Sequence, residues 1–117
     1  METTDLPLIY CEEFDAWMTL AKGIVLVAFE TTWNGSSQIM VPVLAKVKEM
    51  FGPELQIGRI DMEACVQVAR RFQVTQAPAF LFFKNGELCD QIFGVVPKRE
   101  LATKIFSLLK KTAPPVS

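Results

Sequence analysis

The chain has 117 residues, 50% of them hydrophobic, which is enough for one domain with one core. Twelve basic residues nearly balance thirteen acidic ones, and the net charge of −1 gives no electrostatic footprint for nucleic acid or an anionic membrane. Three widely spaced cysteines and no histidine argue against a disulfide scaffold, a zinc site and a nucleophile paired with histidine.

The sequence also lacks the features of a targeting signal. The first ten residues contain no basic region followed by a long apolar stretch, and no apolar run approaches the ~20 residues of a membrane span. We therefore expect a cytoplasmic protein with no membrane or nucleic acid as a partner.

The first part of the chain predicts a strand, a helix and a second strand. Residues 8–10 predict a short first strand. Apolar residues then recur at the spacing of one helical face, and Gly23 ends that helix. Residues 24–29 are apolar throughout, which predicts a central strand covered on both faces. The helical face comprises Phe14, Trp17, Met18 and Ala21.

The middle of the chain predicts two more helices with a strand between them. Ser36 or Ser37 is a suitable N-cap for the next helix, and Pro42 lies inside its pattern. Residues 55–62 predict the third strand and residues 63–72 the third helix.

The last part predicts a β-hairpin and a final helix. Residues 79–83 and 88–93 are joined by Asn85-Gly86, a strong hairpin signal, and Pro97 suits the first turn of the helix. The element order is βαβαβαββα, an α/β fold with a mixed sheet of about five strands flanked by four helices. We expect one domain over residues 1–117, with a core at about 8–111 and a flexible tail at 112–117.

Four stretches of the sequence resemble the thioredoxin family. Residues 33–37 read W-N-G-S-S where the family has W-C-G-P-C, and Pro42 matches a proline of the following helix. Ala77-Pro78 matches the family's cis-proline, and residues 84–87 match the turn after the next strand. The resemblance covers about residues 8–111. It implies the thioredoxin fold and a cis peptide bond before Pro78.

The resemblance places the family's chemical positions on residues that lack its redox chemistry. Asn34 stands at the nucleophilic cysteine and Ser37 at the resolving cysteine, and neither side chain can form a disulfide. Ala28 stands where the family usually has a buried aspartate that helps to move the proton. We therefore expect no catalytic residue in this loop, no metal and no cofactor.

Two charged residues remain near these positions. Glu30 lies two residues beyond Ala28 on the same strand face, and Arg59 lies where the family often has a lysine. One interpretation is an ion pair between Glu30 and Arg59. The other is that both side chains extend to solvent at the end of the sheet.

The three cysteines allow more than one interpretation. Cys65 is placed on the apolar face of the third helix, which favours a small core residue. Cys11 lies between a strand and a helix, where a helix N-terminus would favour a thiolate but Glu12 and Glu13 would oppose it. Cys89 lies in the last strand, at the sheet edge. A redox sensor built on Cys65 or Cys89 is the alternative.

The favoured hypothesis is a redox-inactive protein that is not an enzyme. It would act as an adaptor, chaperone or assembly subunit that binds a protein or an extended peptide. The alternative is a thioredoxin-family disulfide oxidoreductase of cell redox homeostasis, with its thiols elsewhere (Cys65, Cys89) or its motif cysteines substituted. A third hypothesis is a structural module that does not use the groove. The peptide groove that the resemblance implies comprises Trp33, Gly35, Gln76, Ala77, Pro78 and Gly94.

Overall fold

A four-stranded mixed β-sheet organises the computed structural model, which describes residues 6–32 and 35–110. The spatial order of the strands is β2-β1-β3-β4, where β1 pairs in parallel with β2 and antiparallel with β3. β3 and β4 form an antiparallel hairpin, so the sheet is mixed as predicted. The strands are β1 (Ile24–Glu30), β2 (Leu55–Asp61), β3 (Ala79–Lys84) and β4 (Glu87–Phe93).

Four α-helices cover the two faces of this sheet. One core cluster joins α2 and α4 to one face, and a second cluster joins α1 and α3 to the other. This arrangement is the thioredoxin fold that the resemblance implied. The helices are α1 (Phe14–Leu20), α2 (Gly35–Phe51), α3 (Val66–Arg71) and α4 (Lys98–Lys110), and short 3-10 turns span Cys11–Glu13 and Gly52–Glu54.

β1 is the central strand, and its seven residues are all buried. Its side chains alternate between the two core clusters, as the two-residue period of a strand requires. The prediction of a strand covered on both faces is therefore confirmed. One cluster takes Ile24, Leu26 and Ala28, and the other takes Val25, Val27 and Phe29.

The predicted first strand is reduced to a single parallel bridge between Leu8 and Arg59. The Arg59 N–H donates to the Pro7 carbonyl at 2.9 Å, and the Ile9 N–H donates to the Arg59 carbonyl at 2.7 Å. The chain then enters the 3-10 turn that begins at Cys11, so pairing with β2 stops. The described sheet consequently has four strands rather than the five expected.

Gly58 lets the N-terminal segment lie close to β2. A Cβ atom at this position would lie 2.6 Å from Cη2 of Trp17 and 3.0 Å from Cγ1 of Ile9, which is closer than carbon atoms pack. A larger residue at position 58 would therefore separate the segment that carries Cys11 from the sheet.

Two local predictions in the second half of the chain are confirmed. The Ala77–Pro78 peptide bond is cis. Asn85 and Gly86 both have positive φ, 52° and 85°, as a two-residue hairpin turn requires.

The tail at 112–117 lies outside the described residues, so the expected core boundary and flexible tail stay predictions. No helix among residues 6–32 and 35–110 is long and apolar enough to cross a membrane. The cytoplasmic location expected from the sequence also stays a prediction.

Candidate functional site

Cys11 and Cys65 form a disulfide that ties the N-terminal segment to the turn before α3. Their Cα atoms lie 5.1 Å apart, although the two cysteines are 54 positions apart in sequence. The bridge between Leu8 and Arg59 brings the N-terminal segment alongside β2, and Cys65 follows the end of that strand. The wide spacing of the cysteines in sequence gives no sign of this bond, because the fold joins distant residues.

The turn that carries Cys65 is held by Asp61. Its Oδ1 accepts the N–H of Glu63 at 2.9 Å, and its carbonyl accepts the N–H of Cys65 at 3.0 Å. These bonds form a turn over residues 62–64, and α3 begins only at Val66. The prediction that the helix begins at residue 63 is therefore wrong, whereas the prediction of Cys65 as a core residue beside Val68 and Ala69 is confirmed.

The two cysteines differ in their access to solvent. Cys65 is 2% exposed and packs in the core cluster beneath α3. Cys11 is half-buried, and its Sγ lies 3.2 Å from Oε1 of Gln67. Cys11 is therefore the more solvent-accessible residue of the pair. Both cysteines line a cleft of about 220 Å³, here called the disulfide cleft, whose walls are Leu8, Ile9, Tyr10, Cys11, Glu12, Asp61, Ala64 and Cys65.

Cys89 is the remaining cysteine, and it is free and exposed in β4. Because the other two cysteines are bonded to each other, Cys89 has no intramolecular partner for a disulfide. Within residues 6–32 and 35–110, no group of three or more His, Cys, Asp and Glu side chains could hold a metal ion. The intramolecular disulfide couple of the described chain is therefore the Cys11–Cys65 pair.

The loop that resembles W-C-G-P-C is described only in part. Trp33 and Asn34 lie outside the described residues, and α2 begins at Gly35. Ser36 and Ser37 lie in the first turn of α2, so the prediction that either is its N-cap is wrong. Ser37 is 2% exposed, and its Oγ accepts the Thr31 N–H at 3.3 Å. This hydroxyl ties the end of β1 to the start of α2.

Most of the predicted groove residues that are described lie at one end of the sheet. Pro78 and Gly94 are joined by a hydrogen bond of 2.8 Å from the Gly94 N–H to the Pro78 carbonyl. A cleft of about 440 Å³, here called the cis-proline cleft, opens beside them. Its walls are Thr31, Met62, Glu63, Val66, Ala69, Arg70, Val74, Thr75, Gln76 and Ala77.

One short segment separates the two clefts. Met62, Glu63 and Val66 line the cis-proline cleft, whereas Ala64 and Cys65 line the disulfide cleft. The disulfide therefore lies beside the groove that the resemblance implies, on the other side of the turn after β2.

Glu30 and Arg59 form an ion pair, with Arg59 Nη1 3.0 Å from Glu30 Oε2. This contact confirms the ion-pair interpretation over extension to solvent. Burial of Glu30, which is 7% exposed, raises the pKa of its carboxyl above the ordinary value, although Arg59 opposes the shift. Arg59 Nε also donates to the Leu6 carbonyl at 3.1 Å, so the pair helps to hold the N-terminal segment.

Because of this raised pKa, we expect the Glu30 contribution to stability to fall as the pH rises. The pKa of Glu30 is higher in the folded state than in the unfolded state, so between these two pKa values the folded protein binds more protons. The stability that Glu30 contributes is therefore full at a pH below the unfolded-state pKa and is lost at a pH above the folded-state pKa. Glu30→Gln should flatten the pH dependence of the free energy of unfolding, measured in urea from about pH 4 to about pH 7. Glu49→Gln, which alters an exposed carboxylate, is the control. Equal slopes for the parent and Glu30→Gln would contradict the expectation.

Comparison with known proteins agrees with this architecture. The chain matches the family model for thioredoxin over residues 7–107. It is 38% identical over 97 residues to a protein named thioredoxin Y, chloroplastic, from Oryza sativa, covering 83% of this chain but only 58% of that protein. It is 35% identical over 81 residues to the thioredoxin of Listeria monocytogenes, covering 69% of this chain and 79% of that protein. The crystal structure of thioredoxin NaTrxh from Nicotiana alata has the same fold, with a TM-score of 0.81 and 23% identity. The match covers 92% of this chain and 96% of that chain.

These findings overturn the favoured hypothesis of a redox-inactive adaptor. That hypothesis assumed that the loss of both motif cysteines, at Asn34 and Ser37, removed the redox couple. A bonded pair of cysteines is nevertheless present at Cys11 and Cys65, and the similar proteins carry the name thioredoxin. With a family match over most of its length, the chain belongs to the thioredoxin family.

Proposed function

We propose that this chain is a thiol–disulfide oxidoreductase whose redox couple is Cys11–Cys65 and whose substrates are cysteines of other proteins. The observation that carries the proposal is the bonded pair, which lines an open cleft in a chain of the thioredoxin family. The pair differs from the thiols named in the sequence-based alternative, since Cys11 rather than Cys89 is the partner of Cys65.

The proposed reaction moves two electrons between the substrate and the couple. A substrate thiolate attacks Cys11 Sγ, and the bond between Cys11 and Cys65 breaks as a mixed disulfide forms. The electron pair leaves with the Cys65 sulfur, which takes a proton from solvent. A second substrate thiolate attacks the substrate sulfur of the mixed disulfide, and Cys11 leaves as a thiolate that is then protonated. The substrate dithiol becomes a disulfide, and the reverse sequence reduces a substrate disulfide.

The difference in exposure between the two cysteines supports this order of attack. Thiol–disulfide exchange requires the attacking sulfur to approach one sulfur of the disulfide, so access decides which one reacts. Cys11 is half-buried in the disulfide cleft, whereas Cys65 is 2% exposed. Cys11 is therefore the sulfur that exchanges with the substrate, and Cys65 is the resolving thiol.

The proposal assigns no redox chemistry to the loop at residues 33–37. Ser37 is buried and already accepts the Thr31 N–H, and an alcohol oxygen does not form a disulfide. Ala28 is a buried apolar residue of β1 and supplies no carboxyl group. The loop would instead contribute by contacting the protein substrate.

We further propose that the cis-proline surface contacts the body of the protein substrate, away from the reacting sulfur. The cis-proline cleft lies across one turn from the disulfide cleft, so a single partner can cover both. An extended partner chain can pair with backbone groups beside a cis-proline loop. The residues proposed for this surface are Trp33, Gly35, Gln76, Ala77, Pro78 and Gly94.

A redox titration tests whether the couple is reversible in the folded protein. The Cys89→Ser variant is equilibrated in buffers with graded ratios of oxidised to reduced dithiothreitol, quenched with acid and labelled with a maleimide that shifts the band on a gel. We expect two thiols to appear together in one two-electron transition, because a disulfide yields both thiols at once. A disulfide that stays oxidised in excess dithiothreitol under native conditions would exclude this function.

A further inference from the structure

We infer that the substrate segment binds in the disulfide cleft, as an extended and positively charged chain that pairs with the outer edge of residue 8. The inference rests on the proposed function and names the substrate class of that same couple. The binding site that we infer differs from the cis-proline surface in its position, in the backbone groups that bind the chain and in its charge.

The backbone at Leu8 offers an edge for such a chain that no other described strand pairs with. Pro7 O and Ile9 N–H are directed at β2, where both bond to Arg59. In a parallel bridge the intervening residue directs its own N–H and C=O to the opposite side, so those of Leu8 face away from the sheet. Leu8 is 40% exposed. An extended chain can therefore add to this edge as a further strand.

This edge leads directly to the disulfide. Cys11 follows Leu8 by three residues, and both line the disulfide cleft. Tyr10, which is 60% exposed, lies between them and offers a ring against which a bound chain can pack. A cysteine on a chain paired at Leu8 is thereby carried toward Cys11, which is the more exposed residue of the pair.

The charges of the cleft select the kind of chain. Glu12 and Asp61 line it, and no basic residue of the described ranges does so. The cis-proline cleft, by contrast, is lined by both Glu63 and Arg70. A cleft whose charged side chains are all carboxylates attracts cations and repels anions, and this effect is stronger at low ionic strength. The occupant we infer is therefore a cysteine flanked by lysine or arginine in an extended segment.

A charge series of small thiols tests the electrostatic part of the inference. The oxidised Cys89→Ser protein is reduced by cysteamine, 2-mercaptoethanol or 3-mercaptopropionate, and each second-order rate constant is corrected for the thiol pKa. We expect the cationic thiol to react about tenfold faster than the anionic thiol at low salt, with a smaller ratio at high salt. Glu12→Gln should reduce the ratio, and Glu49→Gln, an exposed carboxylate outside the cleft, should not.

A peptide experiment tests the edge. The probes are two extended peptides with a central cysteine, one flanked by lysines and one by glutamates. Leu8→Pro removes the outward N–H of residue 8 but keeps the groups of residues 7 and 9 that bond to Arg59. We expect it to slow the lysine peptide far more than it slows 2-mercaptoethanol, because that thiol is too small to pair with the edge. A second measurement, which does not depend on the folding of that variant, uses lysine peptides with single N-methylated residues, and these should also react more slowly.

The outcomes separate the inference from the function on which it rests. No reduction by any thiol would overturn the proposed function itself. Reduction by all thiols with equal corrected rates, or by both peptides equally, would overturn the substrate class and leave the function standing. A peptide rate that responds to Gln76→Ala but not to Glu12→Gln or to N-methylation would place the segment in the cis-proline cleft and also overturn the inference.

Discussion

Insulin reduction by dithiothreitol should be accelerated by the parent protein, and the acceleration should be lost when Cys11 or Cys65 is replaced by serine. Each replacement removes one sulfur of the couple, and a serine hydroxyl cannot take its place in a disulfide. The measurement is the turbidity of the precipitating insulin chains over time. Cys89→Ser should retain the full rate, because that exposed thiol lies outside the couple.

The two serine variants should differ in what they trap. Cys65→Ser keeps the half-buried Cys11 and should accumulate a mixed disulfide with a protein substrate, since no resolving thiol remains. Cys11→Ser keeps only Cys65, which is 2% exposed, and should trap far less. Non-reducing gels after incubation with an oxidised substrate measure the adducts. Equal trapping by both variants would contradict the assignment of Cys11 as the exchanging sulfur.

Reduction of the disulfide should lower the free energy of unfolding by about 4 kcal/mol. The bond links residues 54 apart, and the chain-entropy model gives a value of about 4 kcal/mol for a loop of that size. This is a large part of the roughly 5–15 kcal/mol that stabilises an ordinary domain. Urea unfolding with and without dithiothreitol measures the difference.

Variants without the couple provide the controls for this measurement. Cys11→Ser should be destabilised by a similar amount, and dithiothreitol should not change its stability further. Cys65→Ala is preferred to Cys65→Ser here, because a hydroxyl at a buried position adds a desolvation cost of its own. A reductant effect below about 1 kcal/mol, outside the usual range for a disulfide, would contradict the expectation.

Part of the fold can be predicted from short stretches of sequence. The apolar run at residues 24–29 predicts a central strand because a strand buried on both faces must be apolar at every position, and β1 is buried throughout. Asn85-Gly86 predicts the hairpin because both residues tolerate positive φ. These features depend on neighbours along the chain. Together with the family resemblance, they were sufficient to identify the thioredoxin fold.

The first strand and the third helix show where local pattern was insufficient. Residues 8–10 have strand character, but the 3-10 turn at Cys11 ends their pairing after one bridge. Residues 63–72 have helical character, but the Asp61 side chain accepts a hydrogen bond from the Glu63 N–H, and the helix begins only at Val66. In both cases a local turn outcompetes the periodic pattern.

The candidate redox site was decided by the tertiary structure alone. The sequence shows that Asn34 and Ser37 lack thiols, and the odd number of cysteines at wide spacing argues only against a disulfide scaffold. Cys11 and Cys65 become neighbours only because the N-terminal segment lies along β2, where Gly58 leaves room for Ile9 and Trp17. No spacing rule predicts a contact between residues 54 apart, since that contact depends on how two segments pack and not on the sequence of either.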